Sequence, residues 1–235
     1  MELSVILPIY NEAENIPYLL SELKGVLDEI TPDYEILCIN DGSTDKSAVL
    51  IEEAKEHDPR IILVNFAYNA GQSAAFSAGF KLAKGKYVIT MDADLQNDPA
   101  DIPKLLEKIK EYDVVIGWRT QRNDSWVKKI SSKIGNGVRN WLTGDDIHDT
   151  GCSLKVFRNE VVKKIPMFSG MHRFLPTLAK IEGYSVCQVP VNHRPRKYGV
   201  SKYGIFNRAW SGLKDVLAVR WMKARHINYE IKEIK

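Results

Sequence analysis

Between Leu3 and Gly117 the chain alternates short β-branched runs with stretches of helical periodicity, and few architectures accept that pattern. Strands are expected at Leu3–Ile9, Tyr34–Ile39, Ile61–Asn65, Tyr87–Met91 and Val114–Gly117. Helices are expected between them, over Glu12–Glu29, Thr44–Glu56, Ser73–Ala83 and Pro99–Glu111. Ser43 or Thr44 is placed to cap the second helix and Asp98 the fourth, where Pro99 suits a first turn. Such spacing implies crossover units and a mainly parallel, doubly wound sheet flanked by helices. Ligands of such sheets bind outside the carboxyl ends of the strands, so the chemistry is sought there.

Beyond Trp118 the pattern loosens. Strands are expected at Ser153–Phe157 and Tyr184–Val191, with a helix near His172–Glu182. Two segments carry helical stripes. Val127, Ile130, Ile134, Val138 and Trp141 fall within an arc of about 80°, with Lys128, Lys129, Lys133 and Arg139 opposite. Trp126 and Trp141 flank this stretch, which suits a helix lying in a lipid headgroup layer. Phe206, Ala209, Trp210, Leu213 and Leu217 form a second stripe, with Arg220 at its edge. That stripe serves packing on the sheet and interfacial placement equally well.

Four segments at expected strand ends carry polar chemistry. Met91-Asp92-Ala93-Asp94-Leu95-Gln96 is the sharpest. In extended backbone, carboxylates two residues apart share a side, and there they can share one hard divalent cation. Such an ion neutralises donor phosphates as charge builds on a leaving group. Gln96 adds a further oxygen. Asp41, in Asn40-Asp41-Gly42-Ser43, can accept from a nucleobase N–H, although by itself the segment reads more simply as a turn. Pro8-Ile9-Tyr10-Asn11-Glu12 ends the first strand and also reads as a turn capped by Asn11. Ala70-Gly71-Gln72-Ser73 opens a helix with small residues, which suits anion binding and close packing alike.

Taken together, Pro8–Glu12, Asn40–Ser43, Gly71–Gly79 and Asp92–Gln96 resemble the successive signatures of glycosyltransferase family 2, with its GT-A-type, Rossmann-like fold. The resemblance runs across nearly the whole chain. It is strongest to the dolichol-phosphate mannosyltransferase-like and bacterial polyprenyl-phosphate branch, through Gly117-Trp118-Arg119, Asp149-Thr150-Gly151-Cys152 and Arg196–Tyr203. It implies an inverting, metal-dependent transferase that moves a hexose from a UDP- or GDP-linked donor to a polyprenyl phosphate. Pro8, Tyr10 and Glu12 would then line the nucleotide site, with Asp41 at the base and Gly71, Gln72 and Ala93 along the donor. Asp92, Asp94 and Gln96 would handle Mg²⁺ or Mn²⁺ and the diphosphate. Arg119, Arg122 and Arg173 would approach the acceptor phosphate, and Arg196, Ser201 and Lys202 would close over phosphates. Asp149 stands where relatives have been assigned a base. A phosphate acceptor is already mostly ionised at pH 7, so Asp149 is expected to orient Arg119, Arg173 or the metal. Many relatives carry two acids where this chain has Asn40-Asp41, so the base preference stays open. Transfer to a polysaccharide or glycan acceptor is the alternative within the family.

Residues 1–118 hold 10 Lys/Arg against 21 Asp/Glu, and residues 119–235 hold 23 against 9. The basic half is expected to face phosphates and an anionic membrane surface. It contains no nucleic-acid-recognition motif, so nucleic acid is not expected as a partner. The division expected is one transferase domain over 1–204, with nucleotide-sugar and acceptor halves meeting at 118, and an amphipathic helix with a polar tail over 205–235. Three widely spaced cysteines, no signal-peptide pattern and no long apolar run point to a cytoplasmic protein, peripheral at the membrane's cytoplasmic face. An oligomer is compatible with all of this.

Overall fold

The computed structural model describes residues 1–120, 144–198 and 205–227, with Gly137 and Glu233, and for residues 205–211 the backbone alone. Arg122, the Val127–Trp141 stripe, Ser201 and Lys202 lie outside the described residues, as do the side chains of Phe206, Ala209 and Trp210.

The chain alternates as expected. In order come β1 (Leu3–Ile9), α1 (Ile16–Ile30), β2 (Tyr34–Asn40), α2 (Ser47–His57), β3 (Ile61–Asn65), α3 (Gln72–Leu82) and β4 (Tyr87–Thr90). A 3₁₀ turn at Pro99–Asp101 leads into α4 (Ile102–Lys108), then β5 (Val114–Arg119), β6 (Lys155–Arg158) and α5 (Asn159–Lys164). A second 3₁₀ turn, Met171–Arg173, precedes α6 (Leu175–Ile181), β7 (Val186–Val191) and α7 (Ile205–Ala224). The helix expected over Pro99–Glu111 is thus split, although Asp98 does cap its start by accepting from Ala100 N. Neither Ser43 nor Thr44 caps α2, which begins at Ser47; the Ser47 N–H instead donates 2.9 Å to Asp45 Oδ1.

The seven strands form one sheet in the order β3-β2-β1-β4-β6-β5-β7. β1 pairs in parallel with β2 and β4, β2 with β3, and β5 with β7. β6 runs antiparallel to both of its neighbours. Two consequences place the site. The order reverses at β1, which leaves a crevice between the carboxyl ends of β1 and β4. Because β6 runs backwards, its first residue Lys155 pairs with Thr90 and Ile116 near the ends of β4 and β5. The segment entering β6, Asp149–Leu154, is thereby delivered to the same edge as Asp92.

Both faces of the sheet are covered. Leu3, Val5, Leu7 and Ile9 of β1 pack with the stripe Ile16, Leu19, Leu20, Leu23 and Leu27 of α1. Ile6 faces the other way, toward Phe76 and Phe80 of α3, in a cluster that also takes Val216 and Val219 of α7. Among the described residues no helix is long and apolar enough to cross a membrane.

Candidate active site

β4 ends at Thr90, one residue early, so Asp92–Gln96 is a turn and not an extended continuation. The two carboxylates are therefore gathered by a turn, not by strand alternation. Leu95, buried between them and Gln96, has a φ of 60°, a left-handed conformation that costs a bulky side chain roughly 1–2 kcal/mol. The turn is held from beneath. Asp92 N donates to Ser153 Oγ at 3.2 Å, and Ser153 Oγ donates to Asn97 Oδ1 at 2.7 Å. Thr90 Oγ1 donates 2.7 Å to the Ser153 carbonyl. This cradle brings Ser153 and Asn97 into the site as supports that no sequence motif marks.

The Asp92 carboxyl is pushed up to about 6, first by its enclosure in protein and then by the negative charge of Asp94. Gln72, at the head of α3, donates 2.7 Å to Asp92 Oδ1. Arg196 donates 2.5 Å from Nη2 to Asp94 Oδ2. The Gln96 amide lies 3.5 Å from His193 Nε2. Asp92, Asp94 and Gln96 offer hard oxygens, and among the described residues no cluster of three or more His, Cys, Asp or Glu is present. Two carboxylates and one amide fit Mg²⁺ or Mn²⁺ of the kind that completes its shell with waters and substrate phosphates.

The segment after β7 lies across this turn as a strap. Asn192 N donates 2.6 Å to Asp101 Oδ2, and Arg194 N donates 2.9 Å to the Gln96 carbonyl. Arg194 then bridges Glu22 at 2.6 Å and Asp98 at 2.8 Å. Beyond Arg196, the Tyr198 ring stacks on Tyr18 with centroids 6.0 Å apart.

Asp41 is buried at the end of β2 and fully engaged. Its Oδ1 accepts from Ala70 N at 2.7 Å, and its Oδ2 accepts from Gly71 N at 2.9 Å and Asn69 Nδ2 at 3.0 Å. A nucleobase N–H at Asp41 would have to share those oxygens with the Asn69–Gly71 loop. Gly42 makes that docking sterically feasible: at φ +67°, a Cβ there would meet Asn69 N at 2.6 Å. On the neighbouring strand, Pro8 and Tyr10 are partly exposed at the end of β1. Asn11 does not cap its own helix; its Oδ1 accepts from Thr44 N at 2.8 Å and so ties the β1 and β2 loops together. Glu12 N donates 2.9 Å to Ser47 Oγ in the same seam. Ala93 is buried within the Asp92–Gln96 turn.

On the β5 side, Arg119 grips Asp149 with a fork, Nε to Oδ2 at 2.6 Å and Nη2 to Oδ1 at 2.9 Å. Both side chains are largely buried. Lys155, wholly enclosed beneath them, donates to the Cys152 carbonyl. Burial pulls its ammonium down, while the charges of Asp92 and Asp149 push the other way. The charge of Arg173 acts on Asp215 of α7, and its neighbour His172 reaches Ser73 Oγ with Nδ1 at 2.8 Å.

Undecaprenyl-phosphate 4-deoxy-4-formamido-L-arabinose transferase of Edwardsiella ictaluri is 39% identical over 204 residues, 86% of this chain and 63% of the relative. Dodecaprenyl-phosphate galacturonate synthase of Rhizobium johnstonii is 35% identical over 228 residues, 93% of this chain and 66% of the relative. The chain thus spans just under two thirds of the length of these two relatives. A mannosyltransferase from Pyrobaculum calidifontis, solved with GDP-mannose and Mn²⁺, superimposes with a TM-score of 0.67 at 19% identity, over 97% of this chain and 65% of that one. Glucosyl-3-phosphoglycerate synthase from Mycobacterium tuberculosis, solved with Mn²⁺, UDP and glucosyl-3-phosphoglycerate, gives 0.69 at 15% identity, over 97% and 81%. The fold is therefore of the GT-A type. The sequence profile of glycosyl transferase family 2 matches residues 4–166, and the chain belongs to that family.

Proposed function

We propose that the protein transfers a hexose from a UDP- or GDP-linked donor to a polyprenyl phosphate, with inversion, at the cytoplasmic face of a membrane. One observation carries this reading. The carboxylate pair Asp92/Asp94 sits at the switch point of the sheet, and the Arg119–Asp149 pair stands beside it on the edge shared by β4, β5 and β6. A donor diphosphate and an acceptor phosphate would each find charges suited to them there. The two curated relatives, whose names specify polyprenyl-phosphate transfer, support the acceptor class. The three free cysteines accord with a reducing compartment.

Asp92, Asp94 and the Gln96 amide would hold Mg²⁺ or Mn²⁺, which neutralises the diphosphate as it departs. Gln72 orients Asp92 for that role through the 2.7 Å hydrogen bond. Arg196 leaves Asp94 for phosphate oxygens when donor enters. An acceptor phosphate oxygen attacks the anomeric carbon, the bond to the diphosphate breaks, and the nucleotide leaves with the electron pair. Little proton removal is required, because most of a phosphate monoester is dianionic at pH 7. Both Asp149 carboxylate oxygens accept from Arg119, so this carboxylate serves to aim a guanidinium at the acceptor phosphate.

The test is a panel of nucleotide sugars with Mg²⁺ or Mn²⁺ and a polyprenyl phosphate, following sugar label into the organic phase. Label in that phase from at least one UDP- or GDP-hexose is expected. Label entering a soluble glycan, and none entering lipid, would refute the acceptor assignment.

A further inference from the structure

β6 is an interior strand, flanked by β4 and β5, and its middle residues Val156 and Phe157 are apolar and buried. Lys155 heads that strand and is buried with them, at 3% exposure. Taking an ammonium out of water is unfavourable, and an apolar side chain of the same length would fill the space without that loss of hydration. Packing alone therefore does not account for a lysine at this position.

Its hydrogen bond does. The Lys155 Nζ turns back along the chain and donates to the carbonyl of Cys152, three residues earlier. That bond closes the turn through which the chain enters β6. One end of the turn carries Asp149, which holds Arg119 in the two-bonded fork. The guanidinium lies close over the turn's backbone: a Cβ on Gly151 would stand 3.0 Å from Arg119 Nη2. The other end carries Ser153, whose Oγ accepts from Asp92 N at 3.2 Å and whose carbonyl accepts from Thr90 Oγ1 at 2.7 Å. The next carbonyl, of Leu154, accepts from Gly117 N at 2.9 Å and ties the turn to β5. The Lys155 charge also acts on both Asp92 and Asp149. A displacement of this one turn would disturb the Arg119 fork and the support of Asp92 at once.

We propose that Lys155 is a positioning residue of the transfer reaction: by holding the Cys152 carbonyl and opposing the charges of Asp92 and Asp149, it fixes the turn that carries the Arg119 fork and supports the Asp92–Gln96 turn. It acts through Asp149 and Ser153 and not on a substrate. The inference rests on the transfer reading for its effect on turnover; its effect on the fork does not. A hydrogen bond from a charged donor is strong, and more so in a water-poor interior, so the carbonyl is held firmly.

The test compares Lys155→Met, which keeps the length but loses the donor and the charge, with Lys155→Arg, which keeps both. Lys155→Leu replaces the methionine variant should that one fail to fold. The Arg119 Nε–H is followed by nuclear magnetic resonance of arginine-labelled protein, its signal assigned by its loss in Arg119→Lys. In Lys155→Met that signal should move toward the position of a solvated arginine and exchange faster with water. Turnover at saturating acceptor should fall roughly 100-fold, the scale of a reacting group misplaced by about 1 Å. Binding of UDP and GDP without metal should stay as in wild type, and the thermal midpoint should change little, because an apolar residue in place of a buried charge is often neutral for stability. Lys155→Arg should restore most of the signal and of the turnover. Wild-type turnover or an unmoved Arg119 signal in the methionine variant overturns the proposal, and so does an arginine variant no better than methionine. If wild type glycosylates no polyprenyl phosphate, the transfer reading fails alone, and a displaced Arg119 signal still upholds the positioning of the fork.

Discussion

Arg196 Nη2 stands 2.5 Å from Asp94 Oδ2, so a guanidinium rests on one of the two carboxylates expected to hold a divalent cation. Cation and guanidinium compete for the same oxygen. Arg196→Met should therefore tighten Mn²⁺ binding in the absence of donor by about tenfold or more, since a charge-assisted hydrogen bond contributes about 1.5–3 kcal/mol. Turnover should nonetheless fall, because the arginine no longer meets the phosphates. Mn²⁺ titration followed by electron paramagnetic resonance reads the first effect directly. Unchanged affinity would show that Arg196 does not guard the site. Asp94→Asn should weaken Mn²⁺ binding and remove most transfer while the fold remains.

A second expectation concerns the fork between Arg119 and Asp149. If Asp149 positions the arginine, Asp149→Asn keeps measurable turnover, and its loss is not recovered by raising the pH. Asparagine retains one acceptor oxygen, so part of the fork survives. An obligatory base would behave otherwise, with collapse of turnover, unchanged donor affinity and rescue at a pH where the acceptor is fully ionised. A pH series on the purified variant decides between the two, and rescue at high pH would defeat the positioning role.

What could be read from the sequence divides along physical lines. All seven strands are visible because β-branched runs and their spacing are local properties. The positions of Asp41 and Asp92 just past strand ends, and of Gly71 at the head of a helix, follow from that pattern. Their partners do not. Asn11 meets Thr44 across 33 residues, and Ser153 reaches Asn97 across 56, distances over which no local signal acts. The left-handed Leu95 is invisible for another reason: leucine is a poor choice for that conformation, so propensity argues against what tertiary structure imposes. On α7 the periodicity names the residues that share a face. It cannot say which of two apolar faces meets the core, and the buried one, Val216 and Val219, is the less conspicuous.

A third expectation concerns acid. Lys24 and Asp28 of α1, Tyr34 of β2, and Asp58 and Arg60 before β3 form one charge cluster. Arg60 donates to Asp58 at 3.0 and 2.8 Å and to Asp28 at 2.7 Å, and Lys24 reaches Asp58 at 2.7 Å. The Arg60 hydrogen bonds, followed by Lys24, hold the Asp58 carboxyl well below the usual range. Tyr34 and then Arg60 lower Asp28. A depressed carboxylate contributes stability above its unfolded value of about 3.9, and the contribution is lost as pH falls through the folded value. The thermal midpoint of wild type should therefore drop steeply below about pH 4. Asp58→Asn should start lower at neutral pH and lose less on acidification. Parallel curves for the two proteins would mean that Asp58 contributes nothing pH-linked.

The last prediction separates two roles for Asp41. Its oxygens accept from Ala70 N, Gly71 N and Asn69 Nδ2, which fixes the loop that opens α3. If shaping that loop is its task, Asp41→Asn turns an amide donor toward backbone donors and leaves at least one buried N–H without a partner. The expected loss is about 1–3 kcal/mol of stability. Gln72 follows this loop directly and orients Asp92, so donor binding should weaken as well. That weakening should be the same for UDP- and GDP-sugars, because a misplaced loop disturbs the diphosphate common to both. A residue that reads the base would act differently. Its amide would weaken the preferred nucleotide far more than the other, since recognition of a ring N–H depends on which ring carries it. Calorimetric titration of both nucleotides into wild type and Asp41→Asn, with Mn²⁺ present, distinguishes the cases. A selective loss for one base would return Asp41 to nucleobase recognition and leave the Asn69–Gly71 hydrogen bonds as its support.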